Sequence, residues 1–150
     1  MTTPDSGRRR GFTVIEMLAV TAIVSALATI AIPSVEGAIE HAKVARAIGD
    51  LRALQVDLDG LDTLPAALAD IGRGNLRDPW NHAYRYLPFP AGSPPADARR
   101  DRFLVPVNTR YDLYSMGKDG ETSTSLTAGA SLDDVVRAND GGFIGPASRF

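Results

Sequence analysis

The sequence predicts an α+β protein. A long N-terminal helix, membrane-spanning in its first half and amphipathic in its second, packs on a small antiparallel sheet, and an irregular loop region closes the C-terminal end. Three observations predict this. Phe12 to Val35 is an apolar run whose only charge is Glu16. From Val35 to Leu61 apolar residues recur at steps of three and four. After residue 60, short β-type runs alternate with turn residues, and most of the 14 Gly and 10 Pro fall there.

The 150 residues suffice for one domain of ordinary size. With about 35 residues given to a leader and a membrane segment, about 115 remain for a globular part with one modest core. An apolar share of 44%, a charged share of 23% and a net charge of −2 fit a folded chain and argue against wholesale disorder. So balanced a charge does not point to nucleic acid as a partner. There is no Cys, which removes disulfides, thiolate zinc sites and thiol catalysis.

Residues 1–11 read as a leader ending in Arg8, Arg9, Arg10 and Gly11. Positive charge before an apolar run keeps that end on the cytoplasmic side. The segment 12–35 is a little longer than the ~30 Å hydrocarbon core of a bilayer requires. It is too long for the apolar centre of a secretory signal. Thr21, Ser25 and Thr29 recur every fourth residue, so their hydroxyls can bond back to carbonyls one turn earlier. Glu16 is the anomaly. A carboxylate at the helix centre costs about 2.5–3.5 kcal/mol on insertion scales, and less near an interface. The helix dipole favours it in a first turn. A free amine at Phe12, made by cutting after Gly11, would be a stronger partner, best met between two packed copies. Pro33 removes a backbone hydrogen bond, so a kink or local melting is expected there without ending the helix.

Beyond Pro33 the expected buried stripe is Val35, Ala38, Ile39, Ala42, Ala45, Ile48, Leu51, Leu54, Leu58 and Leu61. Glu36, Glu40, Lys43, Arg46, Asp50, Arg52 and Asp57 lie between them as a solvated face, and Gly60 is the stop signal. Ala66–Ile71 suggests one or two helical turns, closed by Gly72 and Gly74. Asp78-Pro79-Trp80-Asn81 has the form of a turn, with Trp80 expected in the core. The strand candidates are Ala83–Leu87, Phe103–Val107 and Tyr111–Ser115. Between the first two, Pro88–Arg102 reads as an exposed loop or insertion. Ser123–Ser131 is a loop by composition, and the tail to Phe150 shows no clear element.

Little in the chain suggests catalysis. His41 and His82 read as surface residues, and there is no phosphate loop or zinc helix. Asp119, Asp133, Asp134 and Asp140 gather in an irregular, Gly- and Ser-rich segment. Oxygen donors on irregular backbone suit Ca²⁺, and a metal is one way to hold such a segment. Asp133-Asp134 also reads as a helix cap, and composition leaves both open.

The opening Arg8-Arg9-Arg10-Gly11-Phe12-Thr13, followed by Glu16 and Pro33, resembles the type IV filament family of pilins and pseudopilins. The resemblance implies a type IV pilin-like fold, cleavage after Gly11 by a prepilin peptidase and methylation of Phe12. It also implies that Glu16 neutralises a neighbouring subunit's amine, and that Pro33 marks a stretch melted in the filament. The second half is similar to the major pseudopilin (G-type) of type II secretion. The similarity lies in Asp78-Pro79-Trp80-Asn81 through Tyr86, in Asp112-Leu113-Tyr114-Ser115-Met116-Gly117-Lys118-Asp119-Gly120, and in Asp133-Asp134-Val135. In that branch calcium is bound at positions matching Asp119, Asp133 and Asp134 and by a carbonyl near Met116. Three departures stand out. Asn81 replaces a Gly, the loop Glu121–Ser131 is longer, and Arg137–Phe150 extends the chain.

The function expected is that of a non-enzymatic structural subunit of a type II secretion pseudopilus. The alternative is a type IV pilin of a surface fibre for adhesion, motility or DNA uptake. A membrane-anchored periplasmic enzyme is the least supported class. Expected partners are further copies of the chain, minor pseudopilins, the prepilin peptidase, an inner-membrane assembly platform and lipid. The expected location is the inner membrane, with residues 36–150 in the periplasm.

Overall fold

The computed structural model describes residues 11–89 and 93–150. The arginines of the leader lie outside the described residues. One helix, α1, runs from Val14 to Asp59. It ends where predicted, with the Gly60 amide donating to the Val56 carbonyl at 3.2 Å. The helical pattern passes through Pro33 without interruption, so the local melting expected there is not seen. Proline forfeits only one hydrogen bond, and the helical pattern on both sides is kept.

The chain divides into two compact units, Met1–Ile39 and Glu40–Phe150. In the first, α1 contributes an apolar and exposed stretch: Val14 is 78% exposed, Ile15 75% and Ile30 76%. Its length and composition are those of a membrane-crossing helix.

The second unit holds the core. Here α1 buries Ala47, Leu51, Leu54 and Leu58, with Val44 and Ile48 packed beside them. The buried face therefore differs from the expected one at its N-terminal end. Ala45 and Ala42 are exposed, and Val44 and Ala47 take their place. Steps of three and four counted back from Leu51 fall on Ala47 and Val44, while Ala45 sits about 100° of helix turn from the buried line. Val35 and Ile39 are exposed as well.

The sheet is fully antiparallel, in the order β1 (Arg85–Pro88), β2 (Tyr111–Ser115), β3 (Val135–Ala138) and β4 (Phe143–Pro146). Tyr86 lies opposite Leu113, Ser115 opposite Val135, and Val136 opposite Gly145. One face of the sheet packs Tyr84, Tyr111, Leu113 and Val135 against the helix leucines. The opposite side has a smaller cluster of Val107, Leu126, Val136, Ala138 and Ala147. Alternation along each strand explains the division: Val135 and Val136 are neighbours in sequence and point to different faces.

Two sequence expectations fail here. Phe103–Val107 is not a strand. Asp101 and Leu104 exchange backbone hydrogen bonds around a tight turn that leaves Phe103 97% exposed. Its β-type composition meets no partner strand among the described residues, and without pairing such a run gains nothing from extension. Conversely, the tail supplies β3 and β4. β3 is buried on all four residues, including Arg137, so it shows no alternation, and β4 contains Gly145 and Pro146.

The segment between β1 and β2 is not simply exposed. Phe89, Ala98, Arg99, Val107 and Asn108 are buried. Trp80 is half-buried against the main core and donates its indole N–H to Glu40 Oε1 at 2.9 Å.

Candidate assembly segment and C-terminal loop

The helix start is built by Thr13 and Glu16. The Thr13 backbone N–H donates to Glu16 Oε2 at 2.8 Å and the Thr13 hydroxyl donates to the same oxygen at 2.9 Å. In return the Glu16 N–H donates to Thr13 Oγ1 at 3.3 Å. This is a capping box, Thr-x-x-Glu with helix starting at Val14. The Thr13-Val14-Ile15-Glu16 spacing carries this cap in the sequence itself. Glu16 therefore serves its own helix end, which lowers the cost of a carboxylate at that depth. Gly11 and Phe12 precede the helix and are exposed. The hydroxyl stripe forms as expected: Thr21 Oγ1 donates to the Met17 carbonyl at 3.0 Å, Ser25 to Thr21 at 2.8 Å, and Thr29 to Ser25 at 2.9 Å. Each hydroxyl is thus satisfied within the helix, as an apolar surrounding demands.

The Asp-Pro-Trp-Asn turn is closed by the Asn81 N–H donating to the Asp78 carbonyl at 3.0 Å. Asn81 has φ 75°, the left-handed region that glycine adopts most readily. Asp78 is buried and binds three ways. Its Oδ1 accepts from the Trp80 and His82 amides at 3.0 and 2.8 Å, and its Oδ2 accepts from the Ser115 hydroxyl. The turn is thereby tied to the end of β2. His82 is not an ordinary surface residue. It is half-buried, and Nδ1 lies 3.1 Å from the Gly117 carbonyl. His41 is exposed, as expected.

The acid cluster is drawn into separate tasks. Asp133 Oδ2 accepts from the Lys118 and Asp119 amides at 2.7 and 3.1 Å. Asp119 Oδ1 accepts from the Glu121 amide at 2.8 Å. Gly117, at φ 63°, lets these strands of loop approach: a Cβ there would sit 2.5 Å from the carbonyl and Oδ2 of Asp133. Met116 is half-buried, and its sulfur accepts from Arg85 Nε at 3.4 Å. Asp140 accepts from the amide and hydroxyl of Thr109, both at 2.8 Å. Asp133 and Asp134 do not cap a helix; they follow the short 3-10 turn Gly129–Ser131.

Asp134 has no exposed surface, and its Oδ2 accepts from Arg99 Nη2 at 2.7 Å and from Thr122 Oγ1 at 2.6 Å. Burial pushes its carboxyl up, against the Thr122 hydrogen bond and the Arg99 charge. Arg99, in a segment whose composition suggests an exposed loop, is 4% exposed. Its guanidinium lies 3.7 Å from the centroid of the Tyr114 ring. No local signal marks it, since Arg99 is one of several arginines beside a Pro- and Ala-rich run. Nearby, Asp112 accepts from the Arg99 backbone N–H at 2.6 Å and from Asn108 Nδ2 at 2.8 Å, and burial pushes its carboxyl up too.

The acids expected to hold calcium are engaged otherwise here: Asp133 and Asp119 with backbone amides, Asp134 with Arg99. The described residues contain no group of three or more His, Asp or Glu side chains placed to hold a metal. Asp134 Oδ1 is a buried oxygen without a partner among the described residues, which a cation would suit. The other unpartnered buried atom, however, is Arg99 Nε, a donor on a side chain that already brings a positive charge to Asp134.

Known proteins resemble this chain at its N-terminal segment and over most of its length. The model for the prokaryotic N-terminal methylation motif matches residues 6–32. The chain is 29% identical over 143 residues to the type II secretion system core protein G of Pseudomonas aeruginosa, covering 79% of this chain and 89% of the relative. The proteins of the same name from Aeromonas hydrophila and Escherichia coli are also 29% identical over 143 residues, covering 78% of this chain and 88% and 87% of theirs. No solved structure matches. The capped apolar helix, the four-stranded sheet and these relatives agree: the chain carries a type IV prepilin-like methylation motif and is similar, over most of its length, to type II secretion system core protein G.

Proposed function

We propose that this chain is a structural subunit of a type II secretion pseudopilus, cut after Gly11 and methylated at Phe12. The observation that carries the proposal is the exposed apolar stretch of α1 headed by Glu16. Side chains such as Ile15, Leu18, Ile23, Leu27 and Ile30, each more than half exposed, require lipid before assembly and other copies of the helix after it. Both capping bonds to Glu16 use Oε2, and the residue is exposed, so a second donor can reach the carboxylate. The amine of a neighbouring Phe12 is that donor in our reading. Its positive charge completes the neutralisation that the cap begins.

In this reading residues 1–11 are the leader, 12–35 span the inner membrane and 36–150 stand in the periplasm. The partners are other copies of the chain, minor pseudopilins, the prepilin peptidase and an inner-membrane assembly platform. The chain has no catalytic role. Pro33 acts on assembly, as the point where the intact helix opens when packed among copies. Support comes from the methylation motif and from relatives named as core protein G of a secretion system. The deciding experiment is deletion of the gene, with secretion of folded proteins and surface fibres assayed together. Secretion is expected to fail while fibres persist; loss of fibres with normal secretion would turn the reading to a type IV pilin.

A further inference from the structure

The C-terminal loop has a cation at its centre, and that cation is a side chain. Arg99 reaches the loop from outside it. Nη1 donates to the Ser123 carbonyl and to Ser131 Oγ at 3.3 Å; Nη2 donates to Thr122 Oγ1 at 2.6 Å and to Asp134 Oδ2 at 2.7 Å. One carbonyl, two hydroxyls and one carboxylate converge on it, from residues 122, 123, 131 and 134. The loop's own bonds complete the ring: the Ser123 N–H donates to Ser131 Oγ at 2.9 Å, and Ser131 Oγ donates to the Ser123 carbonyl at 3.0 Å.

We propose that the Arg99 guanidinium is the cation around which this loop closes, in the role that the resemblance gives to calcium. Two of the four oxygens gathered here, the Ser123 carbonyl and the Asp134 carboxylate, are of the types that calcium takes, and the other two are hydroxyls. A planar fork meets them with directed hydrogen bonds instead of a coordination sphere. Charge balance agrees. Arg99 and Asp134 form a neutral buried pair, whereas a divalent ion at Asp134 would stand beside a guanidinium already at hydrogen-bond distance.

The backbone of the arginine is fixed as firmly as its head. Its N–H donates to the buried Asp112, its carbonyl accepts from Val107 at 2.8 Å, and Arg100 pairs with Ser125 in a parallel bridge. The segment before β2 thus serves as an arm that delivers the charge. The longer loop Glu121–Ser131 supplies the hydroxyls that receive it. The inference does not depend on which filament the chain builds.

The test uses the full chain in detergent. Thermal melting is measured in EGTA and in excess CaCl₂, for the unmodified protein and for Arg99→Met, Arg99→Lys, Asp134→Asn and the double variant Arg99→Met/Asp134→Asn. The unmodified protein is expected to melt at one temperature in both buffers. Arg99→Met leaves Asp134 buried and unpaired, so a fall on the order of 10 °C or more is expected. Arg99→Lys, which lacks the fork, falls between. The double variant is expected to lose much less than the sum of the two single losses, the sign of a coupled pair. Limited proteolysis within residues 121–134 gives a second readout, expected to speed up in Arg99→Met and not in EGTA. A melting temperature of the unmodified protein that drops in EGTA and returns with calcium would overturn the proposal. So would additive losses in the double variant.

Discussion

Arg99 and Asp134 are 35 positions apart in sequence and meet at 2.7 Å, both almost wholly out of water. Burying two charges is costly, and a pair repays that cost only when the remaining donors and acceptors are also met. Thr122, Ser123 and Ser131 meet most of them. The pair ties the segment before β2 to the start of β3, two regions that share no strand pairing. A second buried arginine does similar work on the other side: Arg137 lies 4.2 Å from the Tyr111 ring centroid and donates to Gln55, Asn108 and the Tyr111 carbonyl.

Glu16 has two uses in our account, a cap in the single chain and a charge partner in the filament. Replacing it with Ala removes both, and filaments in cells are expected to disappear while the chain still inserts in the membrane. Glu16→Gln retains the capping oxygen and loses the charge. Sheared filaments counted by electron microscopy separate the two uses: if Gln assembles normally, the cap alone matters and the intersubunit pairing is rejected.

The helix side of the core rests on Leu51, Leu54 and Leu58. Leu54 is 1% exposed, so Leu54→Ala is expected to cost about 2–5 kcal/mol in urea unfolding followed by Trp80 fluorescence. Val56, two residues on, is 72% exposed, and Val56→Ala should stay within about 0.5 kcal/mol. Equal losses at the two sites would mean that the buried face of the helix is misassigned.

Asn81 is exposed but holds φ 75°. A β-branched side chain is poorly tolerated there, and Asn81→Val is expected to cost about 1–2 kcal/mol. Asn81→Gly should be neutral or slightly stabilising. A valine variant as stable as the parent would show that the turn does not need the left-handed conformation.

Three phenols link the fold to alkaline pH. Burial, helped by the Asp50 hydrogen bond, pushes Tyr84 well above the ordinary phenol range. Burial does the same for Tyr111, against the Arg137 charge, and pushes Tyr86 up to about 12. In the unfolded chain these groups ionise near pH ~10. Above that pH the unfolded state therefore releases protons the folded state keeps. Stability is complete below pH ~10 and declines as pH rises beyond it. Phenolate absorbance from these residues should appear together with unfolding in an alkaline titration. Ionisation of all three near pH ~10 with the fold intact would refute the burial account.

The sequence by itself determined what depends on neighbours along the chain. The capped apolar helix, its stop at Gly60, the hydroxyl stripe at Thr21, Ser25 and Thr29, the Asp-Pro-Trp-Asn turn and strand β2 all follow from local periodicity and turn chemistry. Tertiary structure decided what depends on distant partners. Strand pairing gave β3 and β4 to a tail whose short, buried or Gly-Pro-bearing runs carry no alternation, and withheld it from Phe103–Val107. Helix packing moved the buried line from Ala45 to Ala47 and Val44. The greatest change concerns the acids. Asp119, Asp133 and Asp134 look alike in sequence, since each is a carboxylate in an irregular loop. Only the fold separates them, giving the first two to backbone amides and Asp134 to Arg99. A buried charge takes whichever partner the packing delivers, and that partner lies 35 residues away.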